Sequence, residues 1–239
     1  MTAYHWISIG LFGTFALLEA PASARAFPLV PRWRLKGFAF TVLYFAVATF
    51  APLAWDGFLG QYQLLDATGL PFVAQIALGF GALQLGIYVW HRSMHNSDLL
   101  WRVFHQTHHS AERVDLWGAF YFHPLDMVGW AFIGSLALIL GVGISGEAGF
   151  VVAVFVTALA MFQHSNLRTP RWIGFLIVRP ESHAVHHERG VHAFNYCDFP
   201  LIDMLFGTFR NPREWTEEAG FYDGASSKLG ALLTFRKPV

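Results

Sequence analysis

Charge is scarce in this chain. Of its 239 residues only 13% are Asp, Glu, Lys or Arg, and 16 cations balance 16 anions. Soluble globular proteins carry about 25%. The deficit argues against an ordinary cytosolic enzyme and against intrinsic disorder, and the absence of a basic surplus argues against a nucleic-acid partner. Cysteine is almost absent. Cys197 stands alone, which excludes an intrachain disulfide, a thiolate zinc cage and an iron–sulfur cluster held by one chain. There is no internal repeat, low-complexity tract or heptad pattern. What the chain has instead is 54% hydrophobic and 17% aromatic residues, and 12 histidines.

Four stretches free of charged residues are long enough to cross a bilayer: 37–55, 67–91, 127–146 and 148–167, of 19, 25, 20 and 20 residues. A spanning helix needs about 20 apolar residues. The last two are separated only by the turn around Ser145, so they read as a helical hairpin. Segment 1–18 is a fifth candidate. Ala22-Ser23-Ala24 resembles a signal-peptide cleavage site, but residues 1–6 lack the Lys or Arg of a signal n-region, so a retained helix is expected. With five spans, all 16 basic residues fall on one side, and the positive-inside rule makes that side cytoplasmic. The polar segment from Arg168 onward reads as short helices and loops on the membrane surface. Trp172 to Val178 is too short to span and suits the interface, as does 199–209.

Eleven of the twelve histidines lie between His91 and His192. Three clusters stand out: His91 with His95, His105 with His108 and His109, and His183 with His186 and His187. On a helix, residues i, i+3 and i+4 share a face, and the first cluster directly extends the third apolar stretch. Eight imidazoles at one membrane face point to a metal, since so many would repel one another if protonated. Eight nitrogen ligands exceed one tetrahedral zinc and suit two ions with open positions. The nitrogen-rich set favours iron, with zinc able to substitute in purified protein. His5, at the opposite face, reads as a hydrogen-bonded core residue.

The run Trp90-His91-Arg92, His95, Leu100-Trp101, His105 and His108-His109-Ser110 resembles the sterol desaturase/fatty acid hydroxylase superfamily. So does Pro180-Glu181-Ser182-His183, His186-His187, followed by Asn195-Tyr196 and Leu205-Phe206-Gly207-Thr208. The likeness covers about half the chain, from Tyr88 to Phe209. His91 and His105 stand only 14 apart, closer than in the acyl-lipid desaturases. The resemblance implies an integral-membrane, non-haem di-iron oxygenase that uses O2. It carries iron ligands onto His91, His95, His105, His108, His109, His183, His186 and His187, and a further ligand onto His164 in Gln163-His164-Ser165-Asn166. His123 in His123-Pro124-Leu125-Asp126 matches a His-Pro motif and stands as a candidate ligand, with a supporting or structural role favoured. His192 falls in a variable stretch and stands as an alternative ligand or support. Asn195 and Asp198 are candidates for orienting ligands by hydrogen bonds. The chain departs from the pattern at 201–205, which keeps Asp203 but lacks a Trp and an Arg, and at Cys197, where a Gly is common. It holds no fused cytochrome-b5-like domain, so the expected electron donor is external, ferredoxin-like or cytochrome-b5-like with a reductase.

The expectation is an all-α integral membrane protein of four to five transmembrane helices, with a cytosolic helical cap holding a histidine-rich dinuclear metal site. It forms a single domain over 1–239: membrane helices in 1–90, the first two histidine boxes in 91–126, the hairpin in 127–167 and the cap with the third box in 168–239. The expected reaction is O2-dependent hydroxylation or desaturation of a C–H bond in a fatty acyl chain, sterol or related membrane lipid. Trp117, Phe120 and Tyr121 are candidates to line its cavity, against a role as interfacial aromatics. The expected location is a bacterial inner membrane. Two other classes compete. A zinc-dependent membrane hydrolase needs an acid/base beside the metal, and Glu188 is misplaced for it. A non-enzymatic metal- or haem-binding membrane protein should carry polar groups at mid-membrane.

Overall fold

In the computed structural model, which describes residues 3–216 and 218–238, the apolar stretches are helices. Only an intrachain ladder or a closed barrel satisfies the backbone in hydrocarbon. Helix α1 is Ala3–Ala22, α2 is Trp33–Phe50 and α3 is Phe72–Asn96. A composite helix α4 follows: a turn at Asp98–Leu100, a π-helical turn at Trp101–His105 and an α turn at Gln106–His109. Helix α5 is Pro124–Ser135, prolonged by a π-helical turn at Leu136–Gly141, and α6 is Gly146–His164. Short helices α7, Pro180–His186, and α8, Pro200–Leu205, belong to the cap. The described residues contain no strand, only isolated bridges.

Among the described residues, four helices are long and apolar enough to cross a membrane: Trp33–Ala54, Phe72–Asn96, Pro124–Gly141 and Gly146–His164. They overlap the four expected stretches, with ends shifted by a few residues. Charge marks where side chains leave hydrocarbon, whereas caps and prolines set where a helix starts. Pro71 precedes α3. His123 Nδ1 accepts from Leu125 N at the start of α5 (3.1 Å), and Ser145 Oγ accepts from Ala148 N at the start of α6. The first segment is helical but is not among the four that meet the crossing criterion. It lies along α6, where Tyr4 OH and Thr157 Oγ1 share a hydrogen bond at 2.9 Å.

Two buried clusters hold the bundle. Leu83, Ile87 and Tyr88 of α3 pack with Val152 of α6 and with Tyr196 and Cys197 of the cap. Phe120, Phe122, Met127 and Met161 form the other. The loop 110–122 sits tight against α2: a Cβ on Gly37 would lie 2.2 Å from Trp117 O. Glu19 ties three elements together, its Oε2 accepting from Leu116 N (3.1 Å) and Asn166 N (2.9 Å). On the cap, Trp172, Phe175, Leu201, Leu205 and Phe206 are exposed apolar side chains, as suits a surface resting on lipid.

Candidate metal centre

Helical spacing sorts the histidines. His91 and His95 are one turn apart at the end of α3, His105 and His109 one turn apart on α4, and His183 and His187 one turn apart at α7. In the structure nine histidines form two groups. Their nitrogens lie within 4.8 Å of one another in each group: His91, His95, His105, His109 and His186 in the first, His108, His164, His183 and His187 in the second. Each His-x-x-His-His box is split. Its i, i+4 pair stays in one group and its middle histidine crosses to the other, so α4 and α7 each serve both groups.

The first group is held by hydrogen bonds from the ring atom that faces away from its centre. His91 Nδ1 donates to Tyr196 O, His95 Nδ1 to His192 O and His186 Nδ1 to Phe194 O, each at 2.7 Å. His105 Nδ1 donates to Asp126 Oδ2, also at 2.7 Å. In the second group His164 Nδ1 donates to Ala160 O at 2.8 Å. These bonds fix the tautomer and leave Nε2 as a lone-pair donor. Nε2 of His95, His109 and His186 is buried with no partner among the described residues. Elsewhere Nε2 atoms face each other: His91 and His105 at 2.9 Å, His108 and His164 at 3.1 Å, His183 and His187 at 3.0 Å. Two ligands at right angles around an ion, with bonds of about 2.1 Å, stand roughly 3.0 Å apart. The donor set, its spacing and its orphaned nitrogens therefore fit a metal in each group.

Electrostatics favours the same state. The imidazoles of His105, His108, His109, His183, His186 and His187 are all held well below their ordinary titration range, first by burial and then by neighbouring imidazoles. Neutral rings are what a cation needs.

The remaining candidates lie around the two groups. His123 caps α5 and packs against Phe235, its ring outside both groups. His192 Nδ1 is 3.2 Å from His109 Nδ1 and belongs to neither; burial pushes it down to about 4. Asn195 makes no hydrogen bond to a histidine side chain among the described residues. Its Nδ2 donates to Ser182 O and Arg210 O, and its Oδ1 accepts from Arg210 N, which clips α7 to the loop behind it. Asp198 accepts from Gln84 Nε2 (2.7 Å) and Gln163 Nε2 (2.8 Å) rather than from a histidine. Burial raises it to about 6. Asp203 accepts from Tyr196 N, Cys197 N and Thr208 Oγ1, fixing the loop that carries the carbonyl of Tyr196. Asp126 is the residue that sequence reasoning missed. Its only linear signal is its place in His123-Pro124-Leu125-Asp126.

A cavity of about 510 Å³ starts at this centre, against His91, His105, His108, His164 and His183, and continues down the bundle. Phe120 lines it. Trp117 packs on Phe12, and Tyr121 lies between Trp33 and Phe40 with its hydroxyl donating to Ser226 O; neither lines the cavity.

Comparison with known proteins gives this architecture its relatives. The family model described as fatty acid hydroxylase matches residues 76–208. The chain is 29% identical over 147 residues to an ornithine lipid hydroxylase of Rhizobium tropici, covering 59% of this chain and 44% of that one. It is 27% identical over 139 residues to a sphinganine C4-monooxygenase of Arabidopsis thaliana, covering 56% and 54%. It is 27% identical over 162 residues to a Delta(7)-sterol-C5(6)-desaturase of Nicotiana tabacum, covering 64% and 55%. The matches thus span about half the length of these relatives. No solved structure matches the chain.

Proposed function

The chain belongs to the fatty acid hydroxylase family, and from that premise we propose that it is a membrane oxygenase that hydroxylates or desaturates a C–H bond of a lipid, with O2 as co-substrate. The observation that carries this reading is the pair of all-histidine groups, five and four residues, at the buried end of a largely apolar cavity. Relatives named as hydroxylases of ornithine lipid and sphinganine and as a sterol desaturase support the reaction class.

His91, His95, His105, His109 and His186 would hold one iron, and His108, His164, His183 and His187 the other. Bound there, the two ions supply the activation of O2 that lets an unactivated C–H bond be broken. The chain's own work is threefold. Carbonyls of Tyr196, His192 and Phe194 and the carboxylate of Asp126 aim the imidazoles. The buried cap keeps water from the centre. Phe120, Phe122 and Ile87 give an alkyl chain an apolar path to it. Hydroxylation inserts one oxygen atom of O2 and reduces the other to water, consuming two electrons and two protons. An external donor, ferredoxin-like or cytochrome-b5-like, supplies those electrons. The basic residues, gathered outside the two short turns 56–66 and 145–149, orient the centre toward the cytoplasm of a bacterial inner membrane.

The hydrolase reading is less well supported: among the described residues both groups consist of histidines alone, with no Glu in the boxes to act as acid/base. The test is to load the purified protein with iron, supply reductant and O2, and profile membrane lipids by mass. A lipid gaining one oxygen atom or losing two hydrogens, only with O2 present, is expected. Lipid cleavage without O2 would overturn the reading.

A further inference from the structure

The cavity lining is buried where the metals would sit and more exposed at the other end. Beside the histidines its walls are buried residues: Phe120, Gln163, Asn195, Tyr196 and Asp198. At the far end the lining is half-buried or exposed: Pro52, Asp56, Ser145, Gly146 and Gly149. Along α6 the lining residues Gly146, Gly149, Ala153, Val156, Ala160 and His164 form one continuous face. Eighteen steps from Gly146 to His164 make the cavity about 27 Å long, close to the roughly 30 Å hydrocarbon thickness of a bilayer. A volume of 510 Å³ over that length leaves a mean cross-section of roughly 19 Å². A long cavity of that volume suits one extended hydrocarbon chain.

The surface around the mouth has one sign. The turns that form this end carry Asp56, Asp66 and Glu147 and no Lys or Arg. Asp56 lines the cavity, and its Oδ1 is buried with no hydrogen-bond donor among the described residues. The other polar groups nearby are partnered: Tyr4 with Thr157, and Thr49 with His5.

Building on the oxygenase reading, we infer that the substrate is a single-chain amphiphile with a cationic, ammonium-type polar end. It enters from the membrane face opposite the histidines and leaves its polar end at Asp56. The alkyl tail then reaches the metals first, and oxidation falls on carbons remote from the polar end. An anionic end would meet the Asp56 carboxylate on a face whose turns carry no Lys or Arg, and lies outside this class.

The glycines of the lining make the test clean. A Cβ on Gly134 or Gly149 meets nothing within 4 Å, so the side chains of Gly134→Phe and Gly149→Trp can start into the cavity without a clash at Cβ. The full chain, in nanodiscs of zwitterionic phosphatidylcholine and without reductant, is offered equal amounts of octadecylamine, octadecanol, octadecanoate and a sterol. Bound molecules are counted by native mass spectrometry, with metal content measured in parallel. One octadecylamine per chain is expected, enriched at least tenfold over octadecanoate. Asp56→Asn should abolish that enrichment, and either plugging variant should remove the ligand with metal content unchanged. Preferred uptake of octadecanoate, octadecanol or the sterol, or retention of the amine in both plugged variants, would overturn the inference. Because no turnover is required, amine binding without any lipid oxidation would count against the oxygenase reading and leave this one standing.

Discussion

The carboxylate of Asp126 is fully buried and meets His105 Nδ1 at 2.7 Å, an acceptor that aims one imidazole and raises its basicity. Asp126→Ala should weaken metal retention by about 10–100-fold, read by chelator competition, with less loss in Asp126→Asn, whose amide oxygen still accepts. Unchanged retention in both would remove Asp126 from the site. The six histidines of the second and third boxes, with depressed titration, make the centre acid-sensitive. Their folded values lie below the unfolded value of about 6.5, so the unfolded chain binds more protons in that interval. Stability is full above about 6.5 and is lost as pH falls through that window. Protons displace metal in the same direction. Melting temperature and retained metal, followed from pH 7.5 to 5, should therefore fall together; a flat profile would contradict neutral ligands. At this scale the sequence was most legible. Box spacing alone marked eight histidines, and the family resemblance marked the ninth, His164. Asp126 was not visible because one Asp, 21 positions from its partner, has no periodic signature. Which box histidine crosses to which group was equally hidden, since it depends on how α4 and α7 face each other.

Among elements, the joints carry the stability. Gly37 leaves no room for a side chain against Trp117 O, so Gly37→Ala should cost about 1–3 kcal/mol by overpacking. Gly57→Ala, where a Cβ meets nothing, serves as the control in a thermal melt. Glu19→Ala should cost about 1–3 kcal/mol, since two backbone N–H groups lose their acceptor. Equal melting of wild type and Glu19→Ala would show that α1 is not tied to α6 in this way. The four crossing helices could be read from hydropathy because length and apolarity are local properties. Their ends could not. Arg34 and Lys36 remain helical although charged, since long cationic side chains reach the interface while the backbone stays in the ladder. The two π-helical turns leave no mark in hydropathy, yet one of them, Trp101–His105, precedes the second box and sets its rotation.

The whole molecule is a membrane bundle closed by a cap, with a centre that no single element could build. Helices α3, α4, α6 and α7 all contribute histidines to the two groups, so the groups come together only when the cap is docked. Gln84 of α3 and Gln163 of α6, both bonded to Asp198, and Asp203 within the cap hold that docking. The partition of histidines into five and four gives the account its most direct test: bound metal per purified chain, by elemental analysis of iron-replete protein. Two ions per wild-type chain are expected. His186→Ala and His108→Ala, which weaken different groups, should each retain about one, and the double variant none. A single ion in the wild type, or loss of both from either single variant, would contradict two separate sites, and no metal at all would contradict the centre itself.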